Sequence, residues 1–245
     1  ISLSLPFLFS ALLAFIALPV IPLLLPESLR KEHRQPHAAA SGSRLGQLRL
    51  ALSGTSGFLF AMAFLLAFAL ANLESILPLY GKEQFSMGPS GLGLMMGAMG
   101  ILSVVEQGFL IHPLTRRFGE ARLLLGGLLV SMTGLLGIAL IPSQWGMILF
   151  ALVFASGNVL LQPSVTSLIS QHAKPGEQGT LMGINNSFQS LGRGAGPLWA
   201  GFAFDVYPTI SFWSGAAIQM LAFFYGLHAL RKPAVAQTRE SVEQS

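Results

Sequence analysis

The 245-residue chain contains no cysteine. Disulfide frameworks, thiol nucleophiles and thiolate metal sites are thereby excluded. Charge is nearly as scarce: Asp, Glu, Lys and Arg together make up 10% of the residues, against 52% apolar. A soluble domain typically carries about a quarter charged residues, so a soluble all-α core is a poor description. HExxH and GxSxG are missing, and no histidine lies near the middle of an apolar stretch. These absences argue against a membrane-embedded enzyme, and no metal or cofactor is expected. Nothing resembles a cleavable signal peptide either. The first apolar stretch has no basic start or small-residue cleavage site, and it contains Pro6, Pro19 and Pro22.

What is present is a series of seven long apolar stretches: Leu3 to Leu25, Gly54 to Leu79, Ser90 to His112, Leu123 to Ile141, Trp145 to Ser170, Gly179 to Phe204 and Pro208 to Leu230. A helix needs about twenty residues to cross a hydrocarbon layer of roughly 30 Å with its backbone hydrogen bonds satisfied internally. All seven have that length. The expectation is an all-α polytopic transmembrane helical bundle of seven spans.

The basic residues alternate between the connecting loops. Arg30, Lys31, Arg34, Arg44 and Arg49 follow the first span, Arg116, Arg117 and Arg122 the third, Lys174 the fifth, and Arg231, Lys232 and Arg239 the last. The intervening loops hold only Lys82. Lys and Arg are retained on the cytoplasmic side, which places the rich loops and the C-terminus on the cytoplasmic side of a cell (inner) membrane. The net charge of +4 is then topological, suited to anionic lipid headgroups rather than nucleic acid. The chain begins with Ile1, on the outer side by the same rule, as expected of a fragment that lacks an odd number of upstream spans.

One long hydrophilic connection divides the chain. The expected organisation is a last span of an N-terminal bundle at 1–25, a cytoplasmic linker at 26–52, a six-helix bundle at 53–230 and a cytoplasmic tail at 231–245. His33, Gln35 and His37 in the linker lack thiol or carboxylate partners at ligand spacing and read as solvated. Gly93 with Gly97, and Gly192 with Gly196, have the small-xxx-small spacing that lets helices approach closely in lipid.

Polar groups inside a bilayer are costly and should face protein or water. The first, fourth and seventh spans have no charge in their apolar centres. The second carries Asn72 and Glu74, the third Glu106 and Gln107, the fifth Asn158 and Gln162, and the sixth Asn185, Asn186, Gln189 and Arg193. At about 100° per residue, Asn186, Gln189, Ser190, Arg193 and Pro197 share one stripe of the sixth span, and Asn158, Gln162 and Thr166 repeat at every fourth position of the fifth. These stripes predict a polar path lined by Asn158, Gln162, Asn186, Gln189 and Arg193. Arg193 either locks two helices through an ion pair or lines a water-filled path and contacts an anionic group. Glu106 is its expected partner, as an ion pair or as a carboxyl that exchanges a proton. Glu74, near the outer end of its span, reads as a solvated interfacial carboxylate.

The loop Pro113-Leu114-Thr115-Arg116-Arg117-Phe118-Gly119-Glu120-Ala121-Arg122 resembles the second copy of the Gly-x-Leu-Ala-Asp-Arg-x-Gly-Arg-Lys motif of major facilitator superfamily transporters. Leu114, Arg117 and Gly119 match, while His112, Arg116 and Glu120 depart from it. The runs Ser190-Leu191-Gly192-Arg193 and Gly196-Pro197-Leu198-Trp199-Ala200-Gly201, with Leu161-Gln162-Pro163-Ser164 before them, resemble the eleventh and tenth helices of its drug:proton antiporters. The resemblance covers the chain to about Lys232 and identifies it as similar to the C-terminal half of such a transporter. It implies a secondary active transporter moving a small amphipathic molecule by alternating access, as proton-coupled multidrug efflux, with the N-terminal bundle of the same chain as partner. It also implies that the uncharged spans are peripheral. A proton-coupled uptake symporter for a sugar, organic acid or nucleoside would use the same residue types, and a channel would need a filter loop that the sequence does not show.

Overall fold

A computed structural model describes residues 5–24, 55–171, 173 and 178–231, all helical apart from short connections. The chain divides into two compact units, residues 1–46 and 47–245. In the first, α1 (Leu5–Leu24) is twenty residues of Leu, Phe, Ala, Ile, Val, Pro and one Ser. The linker expected at 26–52, and the tail beyond Arg231, lie outside the described residues.

The second unit is a bundle of α2 (Thr55–Phe85), α3 (Pro89–Phe109), α4 (Ile111–Phe118), α5 (Glu120–Leu140), α6 (Gln144–Gln171), α7 (Gln178–Val206) and α8 (Ile210–Arg231). Five of these, α2, α3, α5, α6 and α8, are both long and apolar enough to cross a membrane. The seven-span expectation is met less fully at the other two. α7, at 29 residues, has the length, but its amides and Arg193 dilute its hydropathy. α1, at twenty residues, is apolar apart from one Ser.

The third span ends earlier than its hydropathy suggests. Instead of continuing to His112, α3 stops at Phe109, and Leu110 joins it to the short α4. Pro113 falls in the first turn of α4, where a missing N–H forfeits no helical bond. Gly119 then separates α4 from α5 with φ 76° and ψ 159°. That positive φ is steeply unfavourable for a side-chain-bearing residue, which explains the glycine of the loop motif at this point.

Packing within the unit is uneven. α2 makes its most extensive contact with α7, and α5 with α6, while α8 lies against α5 and α2; α3 leans mainly on α6 and touches α2 only slightly. The two tight pairs are glycine seams. A Cβ on Gly196 would come within 2.8 Å of the Phe68 carbonyl oxygen, and one on Gly157 within 2.8 Å of the Gly127 oxygen. Gly192 and Gly196 therefore act as the small-xxx-small spacing predicts. Gly93 and Gly97 do not within this unit: nothing lies within 4 Å of a Cβ built on either.

α5 and α8 carry buried polar ties that charge counting does not reveal. The Ser131 hydroxyl on α5 bonds the Gln219 side-chain oxygen on α8, and Asn72 on α2 donates through Nδ2 to the Ser211 carbonyl at 3.0 Å. Ser131, Gln219, Asn72 and Ser211 are each at most 1% exposed. Ser131→Ala strands the Gln219 side-chain oxygen and should cost about 1–2 kcal/mol. The expected result is a lower melting temperature in detergent, with recovery when Gln219→Leu is added.

Candidate functional site

The loose seating of α3 leaves a cavity of about 370 Å³ between α2, α3 and α6. Helical spacing brings its wall together. Phe154, Asn158 and Gln162 repeat at every fourth position of α6, Met96, Gly100, Ser103 and Gln107 form one stripe of α3, and Leu70 and Glu74 face it from α2. The wall thus offers one carboxylate and three side-chain amides on a surface of Met, Leu, Phe, Val and Pro. α5 and α8 contribute none of its lining residues.

The polar groups differ in burial. Glu74 and Gln107 are exposed and Gln162 is half-buried. The Ser103 hydroxyl is satisfied by the Met99 carbonyl at 2.8 Å. Asn158 is 7% exposed, and its Nδ2 has no hydrogen-bond partner.

Prolines sit inside α2, α6 and α7, at Pro78, Pro163 and Pro197. Each removes the N–H that would bond the carbonyl four residues earlier. Those carbonyls belong to Glu74, Val159 and Arg193, so α2 and α7 each lose a helical bond at a charged residue.

The residues expected on α7 form a separate group. Gln189 is buried and accepts a hydrogen bond from Arg193 Nη2 at 3.2 Å. Asn186 and Arg193 are exposed on the same side, outside the cavity lining. α7 packs chiefly on α2, and Arg193 acts electrostatically on Glu74. Glu106, half-buried on α3, makes no ion pair with Arg193 among the described residues, and its Oε2 is buried without a partner.

In the loop motif, Leu114 is half-buried and the Arg117 guanidinium lies 5.5 Å from the Phe118 ring centroid. Glu120 accepts bonds from Ser167 and Gln171, tying the start of α5 to the end of α6. The acid that departs from the motif thus joins two helices. Sequence reasoning took Asn158 and Gln162 into the polar path but missed Glu74, Ser103 and Gln107. The available signals were Pro78 four residues after Glu74 and the Met96-Gly100-Ser103-Gln107 stripe.

A bundle of long apolar helices enclosing a mixed polar and apolar cavity is the architecture of a multi-pass membrane protein. The chain belongs to the Major Facilitator Superfamily, whose family model matches residues 1–197. Among curated relatives, the class G tetracycline resistance protein of Vibrio anguillarum is 29% identical over 72% of this chain and 45% of its own length. Multidrug resistance protein 1 of Bacillus subtilis is 29% identical over 82% and 51%. The crystal structure of the human organic anion transporter MFSD10 (TETRAN) superposes with a TM-score of 0.63 at 26% identity, covering 76% of this chain and 42% of that one. The chain spans about half the length of these relatives.

Proposed function

We propose that the protein is a secondary active transporter that exports small amphipathic molecules by alternating access, driven by protons. The observation that carries this reading is the cavity between α2, α3 and α6, with a single carboxylate and three amides on an apolar wall. An apolar pocket with a few polar groups suits an amphipathic ligand. The relatives named for tetracycline and multidrug resistance favour export.

In this scheme Glu74 receives a cationic group or a proton, and Gln107, Asn158 and Gln162 orient the substrate. The Arg193, Gln189 and Asn186 stripe of α7 lines the path beyond, and Arg193 sets the electrostatic bias on Glu74. Glu106, with one carboxyl oxygen buried and unpartnered, is a second protonatable group. A further helical bundle completes the path, as the greater length of the relatives supports. The loop basic residues favour an inner-membrane orientation with the C-terminus in the cytoplasm. Trp145, Trp199, Tyr207 and Trp213, on the opposite side from the arginine-rich loops by this topology, fit an outer aromatic belt.

The test is flux of a labelled substrate in vesicles with and without an imposed pH gradient. Flux that collapses with the gradient supports antiport, and flux indifferent to it removes the proton claim. Arg193→Ala is expected to abolish transport with membrane expression retained, since the side chain is exposed and, among the described residues, bonds only within its own helix. Normal transport by that variant would return Arg193 to a purely structural role.

A further inference from the structure

Asn158 combines depth with an unmet hydrogen bond on the cavity wall. Glu74 and Gln107 are exposed, Gln162 is half-buried, and Ser103 is bonded to Met99. The Asn158 amide nitrogen is buried and has no acceptor among the described residues. A buried donor left unpaired is destabilising and uncommon. Its placement in the middle of the α6 stripe, between Phe154 and Gln162, accounts for it if the acceptor arrives with the ligand.

We propose that Asn158 is the specificity-determining residue of this cavity, selecting amphipathic cations that carry a carbonyl or ether oxygen. The proposal rests on the cavity being the substrate site. The ligand oxygen accepts from the Asn158 amide after a small side-chain rotation, the cationic nitrogen meets Glu74, and aromatic rings lie against Leu70, Met96, Met99 and Phe154. A site built around a buried hydrogen bond rejects a ligand that lacks the partner group more strongly than an apolar pocket rejects an added one.

Two amines that differ only in a bridging group test this: para-aminomethylbenzophenone, with a carbonyl, and para-benzylbenzylamine, with a methylene. Equilibrium binding of each tritiated amine is measured on the full-length protein in membrane vesicles. The wild type should bind the ketone at least about tenfold more tightly. Asn158→Leu should erase that preference, weakening the ketone by at least about tenfold relative to the methylene compound. Asn158→Ala, which removes the donor without adding a charge, should erase it too. Equal wild-type affinities, which need no variant to fold, overturn the proposal and leave the cavity's role standing provided Glu74→Gln weakens both amines. A ketone preference that survives in both variants overturns it as well. If neither amine binds the wild type, or Glu74→Gln changes neither, the substrate-site reading and the proposal fall together.

Discussion

Glu74→Gln is expected to lower transport by about 100-fold, a barrier change of about 2.7 kcal/mol, with protein yield and melting temperature unchanged. The side chain is exposed on the cavity wall, so its replacement removes no core packing. The amide keeps the size and some hydrogen-bonding capacity but cannot hold a cation or release a proton. Two features concentrate the effect at this residue. Glu74 is the carboxylate of the described wall, and Arg193 on the adjoining α7 acts on it electrostatically. Initial rates in vesicles, compared at equal amounts of folded protein, check the prediction. A variant that transports within threefold of wild type would remove Glu74 from the mechanism.

The second large effect is on assembly. Gly192→Leu should abolish monodisperse, folded protein in detergent. A Cβ at Gly192 presses on the Phe64 carbonyl and lies 2.9 Å from the Phe68 nitrogen. Overpacking commonly costs about 1–3 kcal/mol where side chains can adjust; here the neighbours are helical backbone, which cannot yield without separating α7 from α2. That separation would also carry Gln189 and Arg193 away from Glu74. Gly192→Ala should show the same defect in weaker form, as a lowered melting temperature. Gly97→Leu on α3, with nothing within 4 Å of its Cβ, is the control expected to leave the packing of this bundle intact. Size-exclusion profiles and thermal unfolding of the three variants make the comparison.

Much of the bundle is readable from hydropathy, because α2, α3, α5, α6 and α8 must hide their backbones in long apolar helices. The ends are less readable. Residues 109–112 look like continuous span, and the break at Leu110 depends on how the chain turns into the amphipathic α4. Polar periodicity found Asn158 and Gln162, since spacing of four places both on one face of α6. It could not find Glu74, because depth along a span does not reveal which side of the helix meets protein. The expected partnership of Arg193 with Glu106 met the same limit. Spacing orders residues around one helix, but the pairing of α7 with α2 is decided by the fit of Gly192 and Gly196 against Phe64, Phe68 and Asn72. The ties through Ser131 and Gln219 escaped for a similar reason. Neither residue is charged, and only their mutual burial marks them.

The central claim is that substrate passes through the cavity between α2, α3 and α6. The absence of cysteine from this chain makes a direct test practical in a full-length background freed of any other cysteine. Ser103→Cys places a thiol on the cavity wall, and Leu129→Cys places one on α5, away from it. Flux is measured before and after a methanethiosulfonate reagent, with and without substrate present. The account predicts that modification of Ser103→Cys blocks flux, that substrate slows the modification, and that Leu129→Cys transports normally throughout. Full modification of Ser103→Cys with undiminished flux, or a modification rate that substrate leaves unchanged, would contradict it.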